Sequence, residues 1–413
     1  MKDELSKAWA DLPASAITDL MRDSKERGWR QAVQAVEGSA PFFAGRMLNL
    51  GLGNWHLLLS RPFPSRILDV GCGFGSMVLG FAQCNQAATV GVEVLRDRVA
   101  YAALRGAQER TGRSLFARAS GLRLPFREAS FGLVTMNGVL EWAGLYEIDG
   151  DPTELQGRML QEARRVLHEA GCIAVAIENR YALESLMGMR DTHTGLTWIT
   201  PLPRRVADYW SRMRKGQPYR TYLYGVEGYR RLFTTAGFET VRVFDLISSY
   251  NDYDFVVDSG DAESYRFIFA NGLNRSFFKP TRIRRAVGRF APRVLGKVAY
   301  AFLVVGGRLG QTALGTTHGV WGLARRLGLR VGRARFALNP RTPGRIQVIA
   351  HDGTLPETLL ELWPNRPDST LEHPAWLSRR FRCEPKYAGE GQVDGIYIRA
   401  YDCGATTVSA PGR

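Results

Sequence analysis

The sequence predicts an α/β fold, a mostly parallel sheet with helices on both faces. Three observations carry this. Short apolar runs alternate with helical stretches from about residue 65 to 178, and a glycine-rich turn, Asp69-Val-Gly71-Cys-Gly73-Phe-Gly75, joins the first run to a helix. An acidic residue, Glu93, then closes the second run, 22 residues after Gly71. Strands alternating with helices imply right-handed βαβ units and a parallel sheet covered on both sides.

Residues 1 to about 60 form a helical lead. Leu5, Ala8 and Leu12, then Ile17, Leu20 and Met21, recur at helical spacing, Trp29, Val33 and Val36 continue it, and Pro62 and Pro64 end it. RILDV (66–70) reads as a buried strand that opens into the glycine turn and a helix through Phe81. ATVGVE (88–93) is the second strand, followed by a helix from Val94 to about Arg110; LFARA (115–119) and GLVTM (132–136) are the third and fourth. A helix around Glu154 to Leu167 ends at Gly171, before CIAVAIE (172–178). After a looser insertion at about 179–225, the spacing predicts a helix over 226–236 with Gly237 as its cap, a strand over 239–247, and a last strand over 299–305. These elements make one domain over 61–308. Residues 309–413 form a small C-terminal extension with strand candidates in RIQVIAHDG and GIYIRAYDCG.

Apolar residues make up 45% of the 413, enough for a packed core. The five scattered cysteines lack a CxxC pair, and the histidines outside the insertion lack ligand spacing, so no metal site is expected and a reducing cytoplasm fits. No apolar run reaches the roughly 20 residues that cross a bilayer. The net charge of +15 is concentrated: Ser264 to His351 holds 17 Lys and Arg and no acid, leaving 38 basic against 40 acidic residues elsewhere. Such a segment attracts a polyanion. The choices are an anionic membrane face, with a peripheral position at its inner side, or nucleic acid, or simply a solvated basic face. RIRRAVGRFAPRVLGKVAYAF suits the membrane, and no RNA-binding module signature is present.

At the turn, glycines let the backbone approach a ligand closely, and Glu93 at a strand end can accept from both hydroxyls of a ribose. A dinucleotide site would carry glycine where Ser76 stands, and its pyrophosphate would be repelled by Asp69, whereas a cationic sulfonium and amino group would be attracted. ILDVGCGFG, VGVE, LRLPF, FGLVTMNGVLEW and EARRVLHEAGCIAVAIE, in this order and spacing, resemble successive motifs of class I S-adenosylmethionine-dependent methyltransferases. The resemblance covers about 65–180. It implies a Rossmann-like seven-stranded sheet with an antiparallel last strand and S-adenosylmethionine as cofactor. Asp69, Gly71 and Gly73, with Gly75 completing the turn, would lie at the methionine moiety and Glu93 at the ribose. Ser120 and Gly121 would lie at the adenine, although relatives often carry an acid at position 120. Asn137, with Gly138, would line the crevice.

Strand ends of such a sheet face the ligand crevice, which makes Asn179, Arg180, Asp191 and His193 candidates for the substrate side. Together with YRTYLYGVEGYRRLFTTAGF and Tyr250-Asn-Asp252-Tyr253, this region is similar to a bacterial methyltransferase subgroup encoded with polysaccharide-assembly enzymes. That similarity implies a carbohydrate or phosphorylated glycan as acceptor, methylated on oxygen, with RNA methylation or a non-catalytic cofactor-binding scaffold as alternatives. His193 is the expected base, since an ordinary imidazole titrates near neutral pH, with Asp191 to orient or replace it; the alternative is a loop-fixing role. Arg180 would bind an acceptor phosphate or carboxylate, or pair with an acid. Tyr250, Asp252 and Tyr253 would line a sugar site, or pack.

Overall fold

The computed structural model describes residues 16–49, 64–247 apart from 85–86, 110–111 and 148, 249–251, 255–259, 262, 265 and 292–307, and five strands within 335–402. The expected helices over Leu5–Leu12, the residues Asp252 and Tyr253, and most of the acid-free segment lie outside the described residues.

Seven strands alternate with helices as the sequence predicts: β1 (Arg66–Val70), β2 (Ala88–Glu93), β3 (Ser114–Arg118), β4 (Phe131–Asn137), β5 (Leu167–Glu178), β6 (Thr240–Ile247) and, after a short β7 (Phe255–Asp258), β8 (Ala301–Gly307). They lie in the order β6-β8-β5-β4-β1-β2-β3. β1 pairs in parallel with β2 and β4, β2 with β3, and β4 with β5. β8 enters antiparallel between β5 and β6, the arrangement expected of the last strand.

The helices are α1 (Ala16–Arg27), α2 (Trp29–Ala35), α3 (Pro41–Leu48), α4 (Ser76–Cys84), α5 (Arg96–Glu109), α6 (Pro152–Val166), α7 (Leu183–Leu186), α8 (Arg204–Lys215), α9 (Val226–Thr235) and α10 (Pro292–Lys297). The strands are apolar at successive positions because both faces are covered. Val92 of β2, with Val134, Val175 and Val304, packs against Leu155, Met159, Tyr229 and Phe233 of α6 and α9. Gly91, one residue away and so on the other face, backs onto Val78 of α4. Asp151 caps α6 by accepting from the N–H groups of Thr153 and Glu154, and Pro152 follows at the first helical position.

Two boundaries differ from expectation. β5 begins at Leu167 rather than Cys172, because its first residues run on from α6 and rejoin β4 across a register shift between Phe131 and Leu133. β7, too short to show a strand period, forms a hairpin with β6 and touches β9 (Arg335–Asn339) through Val256 and Leu338. Antiparallel strands β9, β10 (Ile346–His351), β11 (Pro356–Trp363), β13 (Ile396–Asp402) and β12 (Lys386–Val393) continue the sheet from there. Among the described residues, no helix is long and apolar enough to cross a membrane.

The helical lead packs as its own cluster on the sheet's ligand end. Leu20, Trp29, Val33, Phe43 and Met47 surround Phe74 of the glycine turn and Tyr101 of α5. Phe74 meets Phe43 and Tyr101 edge-to-face, at 5.3 and 5.8 Å between ring centroids.

Candidate active site

A cavity of about 400 Å³ opens beyond the C-terminal ends of β1, β2, β4 and β5. Its walls join two chemically distinct regions.

The first is the glycine turn. Gly71 has φ +70°, and a Cβ there would come within 2.5 Å of the Val139 side chain, so both conformation and space demand glycine. Its N–H and that of Cys72 donate to the Val92 carbonyl, at 2.7 and 3.0 Å. Glu93 accepts from the Gly73 N–H at 3.1 Å with one oxygen, and from the Val94 and Leu95 N–H groups at 2.7 and 3.1 Å with the other. Each carboxylate oxygen has two lone pairs, so the oxygen facing Gly73 retains one for a ligand. Gly71, Gly73, Glu93, Val94, Leu95, Arg98 and Asn137 all line the cavity, and the buried side-chain oxygen of Asn137 has no hydrogen-bond partner.

The remaining cofactor candidates stand behind this surface. Asp69 is buried and accepts from Thr135 Oγ1 at 2.8 Å; burial pushes its carboxyl up to about 7, the Thr135 hydrogen bond opposing. Gly75 lines no part of the cavity: a Cβ there would stand 2.8 Å from the Phe116 ring, so it serves packing. Ser120 accepts from the Leu122 N–H at 3.2 Å, and Gly121 backs onto Met159 and Val70. Neither lines the cavity, whose wall beside Glu93 is instead made by Val94, Leu95 and Arg98.

The second region is a buried cluster of acids around one imidazole. Glu178 ends β5, and Glu141 lies on a 3₁₀ turn (Leu140–Leu145) that follows β4. His193 comes from the insertion, in a loop closed on Asp191. That carboxylate accepts from the Thr194 N–H and hydroxyl, both at 2.7 Å, and stands 3.0 Å from His193 Nδ1. His193 Nε2 lies 3.6 Å from Glu141 Oε1 and 3.6 Å from Glu178 Oε2, and the Trp142 ring lies against the imidazole at 4.8 Å between centroids. Both oxygens of Glu141 and Oε2 of Glu178 are buried without a hydrogen-bond partner. Burial alone would depress the imidazole's pKa, but Glu178, Asp191 and Glu141 outweigh it and hold His193 well above its ordinary value. Burial pushes Glu178 up to about 7, His193 opposing. This corrects the expectation of an ordinary imidazole. The three carboxylates around His193 favour its protonated form, which works against its serving alone as a base.

The substrate candidates divide. His193 and Tyr250 line the cavity, and the Tyr250 ring lies where a Cβ on Gly138 would stand, at 2.6 Å. Asn179 and Arg180 do not. The Asn179 amide donates to the carbonyls of Lys297 and Ala299, and Arg180 donates to those of Thr200 and Leu202, at 3.1 and 2.7 Å. Both brace loops, which corrects the expectation that they reach an acceptor. The sequence reading missed Glu141, Phe42, Arg46, Trp142 and Tyr300. The only signal for Glu141 was its place just past a strand end.

Residues 68–175 match the sequence model of a family described as "Methyltransferase domain". A curated relative, the malonyl-[acyl-carrier protein] O-methyltransferase of Geobacter sulfurreducens, is 34% identical over 117 residues, 28% of this chain. The chain spans 39% of that relative's length. Among solved structures, a complex of a Haloferax volcanii methyltransferase activator with a putative methyltransferase is similar at 17% identity over 70% of this chain and 97% of that one, with a TM-score of 0.39. A Thermotoga maritima methyltransferase described as a possible histamine N-methyltransferase is similar at 14% identity over 68% and 100%, with a TM-score of 0.37. The matched segment holds the glycine turn, Glu93 and Asn137. The cofactor of this domain is S-adenosylmethionine, and the residues fit it: a glycine cradle that a Cβ would fill, a carboxylate with a lone pair to spare and an unpartnered amide oxygen.

Proposed function

We propose that this chain is an S-adenosylmethionine-dependent O-methyltransferase acting on a hydroxyl of a carbohydrate or phosphorylated glycan. One observation carries the reading: the glycine cradle with Glu93 and the Glu178–His193 cluster are walls of the same cavity. Gly71 and Gly73 would bring the backbone against the methionine end, and Glu93 would accept from the ribose. When bound, the cofactor supplies a methyl group on a cationic sulfur, which a nucleophile need only approach in line.

A hydroxyl must lose its proton as it is methylated. Glu178 lines the cavity beside His193, which supports a role for its carboxylate in receiving that proton. His193, fixed by Asp191, positions the Glu178 carboxylate and balances its charge. An oxygen nucleophile agrees with the O-methyl transfer for which the Geobacter sulfurreducens relative is named. Phe42, Trp142, Tyr250 and Tyr300 supply ring faces for the apolar side of a sugar. The acid-free segment Ser264–His351 would keep the enzyme on an anionic surface where lipid-linked acceptors reside.

The test is transfer of labelled methyl from S-adenosylmethionine to glycans extracted from a strain lacking the gene, with the methylated sugar identified by mass spectrometry. Label in RNA or in amines, and none in sugars, would overturn the acceptor class while leaving the cofactor assignment intact.

A further inference from the structure

We propose that Glu141, Glu178 and His193 form a site for a divalent first-row metal ion such as Mn²⁺, at the wall of the acceptor cavity. One oxygen of each glutamate and the imidazole Nε2 lie within 4.8 Å of one another. Both glutamate contacts to Nε2 are 3.6 Å. Ligands of a common ion at metal-bond length stand about 3.0–3.5 Å apart, so each glutamate–imidazole contact need close by only a few tenths of an ångström, and the two glutamate oxygens, which lie within 4.8 Å of each other, by more.

Two features of the cluster point to an ion rather than to packing. Glu141 is fully buried, yet neither of its oxygens has a hydrogen-bond donor, and Glu178 Oε2 likewise has none. The one imidazole that approaches them, at 3.6 Å, also faces Asp191, so a single positive charge is set against three buried carboxylates, an excess that is costly unless a further cation joins it. The rear of the imidazole is also arranged as in metal-bound histidines. Nδ1 faces Asp191 at 3.0 Å, and two Thr194 donors fix Asp191 in turn, which leaves Nε2 free to coordinate. Two carboxylates and one imidazole make a mixed set suited to Mn²⁺, Fe²⁺ or Zn²⁺. Three protein ligands leave positions open, and Glu178 and His193 turn those toward the cavity.

The ion takes the place of the proton that the cluster otherwise shares. An acceptor oxygen bound to it would be held facing the cofactor cradle, and the ion would lower the pKa of that hydroxyl, its proton passing to the non-coordinating oxygen of Glu178 or to water in the cavity. That consequence rests on the O-methyl transfer proposed above; the binding of the ion does not.

The test is titration of the whole chain with Mn²⁺ after chelator treatment, followed by electron paramagnetic resonance, with S-adenosylhomocysteine binding measured in parallel. One Mn²⁺ per chain is expected, weakened at least tenfold by Glu141→Gln and by His193→Ala, while S-adenosylhomocysteine affinity stays within about twofold. Mn²⁺ should also raise the melting temperature of the parent and not of Glu141→Gln. Glu141→Gln is close in shape and leaves Glu178 and Asp191 to face His193, so its metal-free form should stay folded, with S-adenosylhomocysteine binding as the check. No stoichiometric binding up to millimolar Mn²⁺ or Zn²⁺ in protein that binds S-adenosylhomocysteine overturns the site, as does binding that persists in both variants. Metal binding without methylation of any hydroxyl acceptor would instead count against the acceptor reading and leave the site standing.

Discussion

The carboxylate of Glu93 accepts a hydrogen bond from the Gly73 N–H at 3.1 Å, so the acidic end of β2 is tied directly to the glycine turn that follows β1. The same side chain would bind the cofactor and hold the loop that cradles it. Glu93→Ala should therefore weaken S-adenosylhomocysteine binding by about 1–3 kcal/mol, the scale for hydrogen bonds to a charged group. Glu93→Gln, which keeps an acceptor oxygen, should lose less. Calorimetry on the folded variants is the check, and unchanged affinity in Glu93→Ala would remove Glu93 from the site.

The legibility of these residues in the sequence follows from locality. Gly71, Gly73 and Glu93 belong to one strand-turn-helix-strand unit, where chain spacing dictates spatial proximity. β8 was readable because AFLVV is apolar without a break, as a strand buried on both faces must be. β7 was not, since Phe255–Asp258 is four residues long and shows no period. The site's polar half lies beyond such reasoning. Glu141 and His193 are 52 positions apart, and only the insertion's path brings them within 3.6 Å. Arg180 shows the converse: a basic residue past a strand end looks ready for an anion, yet it lines no part of the cavity, and its Nε and Nη2 donate to two carbonyls of its own insertion.

Asp69 makes stability depend on pH in a predictable sense. Burial raises its carboxyl from 3.8 to about 7, so the fold holds this proton more tightly than the unfolded chain does. Its contribution then favours folding at low pH and is lost progressively as pH rises from about 4 through 7, where the native state must carry a buried charge. Asp69→Asn should remove that dependence. Relative to the parent it should gain on the order of 1–4 kcal/mol between pH 5 and pH 8, measured by urea unfolding at both. An equal difference between the two proteins at both pH values would show that the carboxyl titrates normally.

Turnover should separate from cofactor affinity at the acid–imidazole cluster. Glu178→Gln keeps the shape of a proton acceptor and removes its function, and it should lower kcat by about 100-fold or more. His193→Ala should do the same by releasing Glu178 from its charge partner. Neither residue is part of the glycine cradle, so S-adenosylhomocysteine affinity should stay within a few-fold of the parent in both. Single-turnover methyl transfer with an identified acceptor is the measurement. Normal kcat in Glu178→Gln would return the cluster to a structural role.

Arg105 joins the helical lead to the cofactor turn, although it touches no part of the cavity. Its buried guanidinium donates to the Phe74 carbonyl within the turn, to the Met47 carbonyl at the end of α3 at 2.8 Å, and to Ser76 Oγ at 3.1 Å. It also stacks 4.0 Å from the Trp29 ring centroid. Phe42 and Arg46, on the helix so held, form one wall of the cavity. Arg105→Met fills similar space but strands two carbonyls, and it should cost about 2–5 kcal/mol of stability, since buried hydrogen bonds to a charged donor are each worth roughly 1.5–3. Arg105→Lys keeps the charge without the planar fork and should fall between. Because Arg105 supplies the charged hydrogen bonds that tie the lead to the turn, cofactor affinity should fall in parallel with stability, and protease should cut within residues 16–49 sooner than in the parent. Thermal unfolding, calorimetry with S-adenosylhomocysteine and timed proteolysis give the three readings. If Arg105→Met loses stability while cofactor affinity and the cleavage rate in the lead stay at parental values, Arg105 is a brace of the core alone and the lead closes the site by other contacts.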